Sequence, residues 1–240
     1  MSHPFSVPIL MYHKVDRLNR RSTVPGHYVS PSLFKRQMGV LTSLGYNSVP
    51  LSALYLPQTV LPRKPVVITF DDGYANFYEH ALPVLQSFGF VSTVFLVANQ
   101  LGGTNAWDTR EGDVEEQLMT AEQVRTAKIA GTEFGSHTLD HADLSKVGSD
   151  EAWRQIADSK QKLEDTFGFS VDTFCYPYGR KNPEVMEMVE RAGYRLACSI
   201  EKGLNRVDTN HFALKRVNVR RDTSEPVFVW KLLRGRWNAD

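Results

Sequence analysis

The chain has 240 residues, 42% of them hydrophobic, enough for one sizeable core, and it balances 28 basic against 27 acidic side chains. A net charge of +1, with no basic stripe and no long like-charge run, gives no field to attract nucleic acid or an anionic membrane surface. The two cysteines, Cys175 and Cys198, lie in apolar, strand-like stretches and read as buried reduced thiols. The opening MSHPFSVPILMYHKV has no cationic start, and its apolar part, Val7–Tyr12, is too short for a signal segment or a membrane span. The expectation is a cytoplasmic protein of a single domain, residues 1–240, with no transmembrane segment.

Strand-like and helix-like segments alternate along the chain. Val7–Tyr12 reads as a strand. Ser30-Pro31 is an N-cap and first-turn pair, and Phe34, Met38, Leu41 and Leu44 form one helical face ended by Gly45. Asn47–Leu51 and Val66–Phe70 read as strands. Phe77, Ala81, Leu85 and Phe88 make a second helical stripe, stopped at Gly89, and Ser92–Val97 is the next strand.

Thr120-Ala-Glu-Gln123 is a capping box opening a helix that ends at Gly131, and Thr132–Ser136 is a strand. Ser149 opens a helix with Trp153, Ile156, Leu163 and Phe167 on one side. Thr173–Tyr176 is a strand, and Asn182-Pro183 starts a helix stopped at Gly193. Leu196–Ile200 and Ala213–Val219 complete the strands, and Val227–Leu233 is a last helix. This order predicts an α/β fold, a parallel sheet of about seven strands closed or nearly closed into a (β/α) barrel; an open doubly wound sheet is the alternative. In either, chemistry gathers at the carboxyl ends of the strands.

The stretch VVITFDDGY puts two adjacent carboxylates, Asp71 and Asp72, at such an end. Like charges side by side repel, and a cation reverses that cost. His137 and His141, spaced i, i+4 in GSHTLDHADL, follow another strand and fall at the same rim. Two imidazoles and a carboxylate make the open three-ligand set of a catalytic zinc-type site. The competing reading is a plain strand-to-helix turn, with Asp72 capping a helix that begins near Ala75.

Thr69-Phe-Asp-Asp-Gly73 with His137-Thr-Leu-Asp-His141 resembles the first two signature motifs of the polysaccharide deacetylases, the NodB-like carbohydrate esterases of family 4. Phe174-Cys-Tyr-Pro-Tyr-Gly179 resembles the third, and Ile9-Leu-Met-Tyr-His13 matches a subfamily with an N-terminal Met-Tyr-His element. The likeness spans roughly residues 7–220, with the motifs in family order. It implies a distorted parallel (β/α) barrel and a hydrolase that removes N-acetyl groups from a carbohydrate. It further implies a divalent metal on Asp72, His137 and His141, with zinc expected and cobalt, nickel or iron suiting the same donors. Asp71 would be the general base, and the Tyr178 N–H would complete an oxyanion hole.

Two places depart from the family pattern. Many members carry an arginine two residues before the proline of the third motif; here that place is Cys175. Arg216, on a late strand, is the candidate substitute partner for Asp71, or else a solvated surface arginine. No clean late histidine motif supplies the general acid. His13, ending the first strand, is the candidate; His211 precedes its strand and falls at the opposite end. Tyr74, Trp107 in the loop Asn99–Leu118, and Tyr178 are the aromatic candidates for sugar contact, although Trp107 could equally anchor its loop. The expected partner is a carbohydrate. Hydrolysis of a non-sugar amide or cyclic imide on the same fold, and an inactive glycan-binding barrel, remain as rival readings.

Overall fold

The computed structural model describes residues 6–55, 61–206 and 208–234; the first five residues, part of the leader reading above, lie outside them. The strands are β1 (Ile9–Tyr12), β2 (Lys14–Val15), β3 (Tyr28–Val29), β4 (Asn47–Ser48), β5 (Pro65–Phe70), β6 (Thr93–Leu96), β7 (Glu133–Ser136), β8 (Thr173–Cys175), β9 (Leu196–Lys202) and β10 (Leu214–Asn218). The helices are α1 (Pro31–Ser43), α2 (Leu82–Ser87), α3 (Ala106–Thr109), α4 (Ala121–Ile129), α5 (Ser149–Phe167), α6 (Pro183–Arg191) and α7 (Glu225–Arg234).

Seven strands close into a parallel barrel in the order β1-β10-β9-β8-β7-β6-β5, with β5 returning to pair with β1. The expected (β/α) barrel is therefore present. Its ladder is thin between β7 and β8, paired through Ser136–Phe174, and between β5 and β6, paired through Thr69–Thr93 and Phe70–Val94. Below that point β4 pairs with the start of β5, and Val49, Leu51 and Ala53 pack into the barrel core, with the Leu51 N–H donating to Thr93 Oγ1 at 3.0 Å. The sequence reading extended this strand to Leu51. Pro50 has no N–H for the ladder, so the strand stops and a 3₁₀ turn begins at Leu51.

Period-2 alternation sorts every barrel strand into two faces. Val66, Ile68 and Phe70 of β5 point outward into the layer under the helices, where Phe70 packs against Tyr12, Phe34 and Phe77. Ile9, Val67, Phe95, Cys175, Leu196, Cys198 and Leu214 fill the interior instead. Asp71 continues the inward series Val67–Thr69, and His13 continues the inward series begun by Ile9. The chemistry-bearing residues thus form the uppermost interior layer, where barrel enzymes place their sites.

The helical readings hold with two local differences. The Thr120–Gln123 capping box forms, and the Ser30 and Asn182 side chains cap α1 and α6. Phe77–Ala81 winds as a π-helix immediately before Pro83, whose ring would collide with the carbonyl four residues back in a regular α-turn. On α5 the buried face is Ala152, Gln155, Ile156, Ser159 and Leu163; Trp153 is 37% exposed, with Arg191 lying over its ring. Of the expected stripe, Ile156 and Leu163 are buried and Phe167 packs against the core; Trp153 alone turns outward, its indole satisfied at the surface by a cation. Among the described residues, no helix is long and apolar enough to cross a membrane.

Candidate active site

The turn after β5 separates two neighbouring carboxylates. Asp72 and Gly73 both take left-handed backbone angles, φ 73° and φ 74°. Two such residues in a row reverse the chain at the rim, so Asp71 stays with the barrel interior while Asp72 turns toward the end of β7. Gly73 is required twice over: its φ is one that side chains resist, and a Cβ there would lie 2.8 Å from Leu96 Cδ2. Thr138, His141 and Tyr178 are also left-handed, with φ of 69°, 60° and 58°. Each such non-glycine residue stores on the order of 1 kcal/mol or more, and strain of this kind persists where surrounding structure holds a site in place.

Asp72 meets both imidazoles. Its Oδ1 lies 3.3 Å from His137 Nε2 and 3.3 Å from His141 Nε2, and all three residues are buried. Oδ1 makes no hydrogen bond among the described residues, so the turn-capping reading fails. A buried carboxylate oxygen between two ring nitrogens, with no donor of its own, fits a divalent cation. His137 Nδ1 is 2.7 Å from the Cys175 carbonyl. Donating there leaves the Nε2 lone pair free to ligate. His141 Nδ1 has no such partner among the described residues. Its ring is held instead by the Trp107 face, at 4.4 Å and 16°, and by the edge-on Tyr178 ring at 4.8 Å.

Asp71 is engaged differently. Arg216 donates to it through both ends of its guanidinium, Nη1 to Oδ1 at 2.7 Å and Nη2 to Oδ2 at 2.8 Å. The arginine's remaining donors reach the Ser199 carbonyl (2.8 Å), Thr69 Oγ1 (3.2 Å) and Cys175 Sγ (3.2 Å). The pairing anticipated for Arg216 is present, and the surface alternative is excluded by its 1% exposure. Burial raises the Asp71 pKa, but the charge and hydrogen bonds of Arg216, with help from His13 and His137, hold the carboxyl below the usual range. Asp71, His137 and Cys175 also lie close enough together to suggest a second ion site. That site is not viable: Arg216 occupies both Asp71 oxygens, and burial pushes the Cys175 thiol up to about 11.

His13 Nε2 lies 3.8 Å from Asp71 Oδ2. Burial first and neighbouring His27 second bring its pKa down to about 3, against the pull of Asp71 and Asp72, so the resting imidazole is neutral. His211 is exposed before β10, its carbonyl accepting from Ala197 at the start of β9, the opposite end of the barrel. Tyr178 is 39% exposed beside His141 and remains available to a sugar. Tyr74 does not: it is fully buried, and its hydroxyl donates to Asp108 at 3.0 Å. The left-handed Asp72–Gly73 pair breaks the strand alternation just before it, so its facing could not be read from the sequence. Trp107 gives one face to His141 and is 8% exposed, which makes it a brace for that ring rather than an open platform.

Sequence reasoning missed two residues next to the site. His27 stacks on His13, their centroids 4.0 Å apart at 13°. Lys14 is buried between the Tyr28 and Tyr74 rings, with Asp113 3.6 Å from its ammonium. Lys14 opens the two-residue strand β2 and His27 ends a 3₁₀ turn just before β3, segments too short for a periodicity to mark them.

Residues 59–197, more than half of the chain, match the family model described as Polysaccharide deacetylase. This chain belongs to the polysaccharide deacetylase family. It is 32% identical to YxkH of Bacillus subtilis (strain 168), a protein named as a polysaccharide deacetylase, over 94% of this chain and 75% of that protein. It is 24% identical to the poly-beta-1,6-N-acetyl-D-glucosamine N-deacetylase of Staphylococcus aureus (strain MRSA252), over 90% of this chain and 79% of the relative. Among solved structures, the Streptococcus pyogenes deacetylase PplD superposes with a TM-score of 0.82 at 26% identity, covering 96% of this chain and 99% of that one. IcaB from Ammonifex degensii superposes at 0.79 and 26%, covering 95% and 97%.

Proposed function

We propose that this family member is a metal-dependent deacetylase that hydrolyses N-acetyl groups on an N-acetylhexosamine-containing polysaccharide or its precursor. The observation that carries the reading is the division of labour between adjacent carboxylates: Asp72 Oδ1 faces two imidazoles and makes no hydrogen bond among the described residues, while Asp71 is held away from that cluster by Arg216. The N-acetylglucosamine polymer is suggested by the Staphylococcus aureus relative's named substrate.

A divalent ion held by Asp72, His137 and His141, zinc being the expected one, would supply Lewis acidity, lowering the pKa of water and polarising the acetyl carbonyl. Asp71 is ionised, held beside the ligand cluster, and takes the proton from the attacking water. The Tyr178 backbone N–H, in the left-handed turn after Pro177, donates to the oxyanion as the acetyl carbon becomes tetrahedral. When the C–N bond breaks, the leaving nitrogen needs one proton. His13 rests neutral and close to Asp71, so the proton taken from water can pass through it to the amine, and acetate leaves. At 3.8 Å the two groups are not hydrogen-bonded, and transfer requires the ring or a bridging water to close the gap.

The test is acetate release from a panel of N- and O-acetylated glycans, with and without chelator. Release from N-acetylated chains that chelator abolishes and added divalent metal restores is the expected result. Chelator-insensitive release would overturn the metal role, and release from O-acetyl esters alone would overturn the substrate.

A further inference from the structure

His13 carries the proton in the reading above, yet no hydrogen bond of its side chain is found among the described residues, and its ring nitrogen stands 3.8 Å from Asp71. An imidazole turns easily about its outer side-chain bond, which has broad, roughly two-fold minima. Among the described residues, the ring that lies flat against His13 is His27.

The backbone explains how His27 arrives there. β2 and β3 pair in parallel, Lys14 opposite Tyr28 and Val15 opposite Val29. One step back along that register places His13 beside His27, whose rings stack at 4.0 Å and 13°. His27 ends a 3₁₀ turn whose start is fixed by Pro25, and its N–H donates to the Val24 carbonyl at 3.0 Å. The turn is tied to the barrel on its other side, where the Arg221 N–H donates to the Gly26 carbonyl at 3.2 Å. The Arg220 guanidinium lies against Gly26 so closely that a Cβ there would overlap it. Tyr28, the next residue, hydrogen-bonds Glu116 across the site. The turn is therefore anchored from two directions, while the His27 Nδ1 itself is buried with no hydrogen-bond partner among the described residues. What the ring gives His13 is its face.

We propose that His27 is a positioning residue for the deacetylation step: its ring face holds the His13 imidazole edge-on to Asp71, and its contribution to turnover runs entirely through His13. This rests on the deacetylase reading and on His13 as the proton carrier. It adds a residue outside the motifs discussed above, supplied by the loop between β2 and β3.

The experiment compares His27→Ala, which removes the stack, with His27→Phe, which keeps a flat ring without nitrogens, in wild-type and His13→Ala backgrounds. Steady-state kinetics are measured on the metal-loaded enzyme, and the His13 imidazole proton shifts are read by NMR. The expected results are a kcat loss of about ten- to a hundred-fold for H27A, the scale of an angstrom-level misplacement, with KM within about two-fold. H27F should restore kcat to within about three-fold, because stacking and not proton exchange is required. In the His13→Ala background H27A should cost nothing more, since two residues acting as a unit are not additive. The ring-current shift on His13 should vanish in H27A and survive in H27F.

Four results overturn the proposal: H27A with wild-type kcat, H27F as impaired as H27A, a full H27A penalty without His13, or a His13 shift that H27A leaves in place. Wild-type enzyme that releases no acetate, or His13→Ala at full rate, would instead remove the reading beneath it. The NMR arm does not depend on activity, and an unchanged His13 shift in H27A would sink the stack by itself.

Discussion

Arg216 rises through the barrel interior from β10 and grips Asp71 at both oxygens, 2.7 and 2.8 Å away. Leu10 pairs with Val217 and Tyr12 with Phe70, so the arginine starts about two interior layers below the carboxylate it holds. Its path runs past Thr69 and Cys175, and the small thiol leaves the guanidinium room. In the proposed mechanism this relationship is what separates a base from a ligand in a pair of adjacent acids.

Replacing that arginine tests the separation. Arg216→Met leaves Asp71 buried without its counter-charge, and breaking a buried pair in this way should cost about 3–5 kcal/mol of stability. Arg216→Lys keeps the charge but loses the two-pronged grip. It should fold, bind metal normally and turn over at least about ten-fold more slowly, since the base is no longer aimed. Urea unfolding and kcat measured together check both; a lysine variant with full kcat would show that aim is unimportant.

Trp107 gives a second test. If its face braces His141, Trp107→Ala should weaken metal affinity by about ten-fold, as loss of an outer support of a ligand commonly does. Phenylalanine should recover most of that affinity. If the indole served mainly as a sugar platform, KM would rise and metal affinity would stay unchanged.

The pH dependence of stability should carry the signature of His13. Its pKa is about 3 in the folded chain against 6.5 unfolded, so between those values the unfolded chain binds the extra proton. Stability therefore falls as pH drops below 6.5. His27, also held low by burial, adds to the same slope. His13→Asn should flatten the slope by up to one proton, about 1.4 kcal/mol per pH unit. Urea unfolding at pH values on either side of the imidazole range measures it, and an unchanged slope would place the His13 pKa elsewhere.

Lys14 and Asp113 join the rim to the loop between β6 and α4. The ammonium is fully buried 3.6 Å from the carboxylate and lies over the Tyr28 and Tyr74 rings. Asp113→Ala should destabilise by about 3 kcal/mol, because it strands a buried positive charge. Adding Lys14→Met should recover a large part of that loss. A double variant as unstable as the single one would mean that the carboxylate matters through its bond to the Thr23 N–H instead.

Much of this arrangement was legible in the sequence because it follows strand ends. Asp71, Asp72, His137 and His141 all come directly after strands whose patterning is plain, and parallel strands deliver their carboxyl ends to one rim. Arg216 could be suspected because Cys175 stands where the family pattern has a cation. What escaped lies beyond the strands. The left-handed turn at Asp72–Gly73 breaks the alternation before Tyr74, and Trp107 sits in a loop whose folding back onto His141 has no periodic signature. His27 reaches the site only through the pairing of two-residue strands, too short to be marked by composition.

Metal content of two single variants tests the central assignment most directly. Wild-type protein stripped with chelator and reloaded should bind one divalent ion per chain. Asp71→Asn should bind the same ion with unchanged affinity and release no acetate, whereas Asp72→Asn should lose most of its affinity. Loss of the ion from Asp71→Asn, or its full retention by Asp72→Asn, would contradict the division of roles between the two carboxylates.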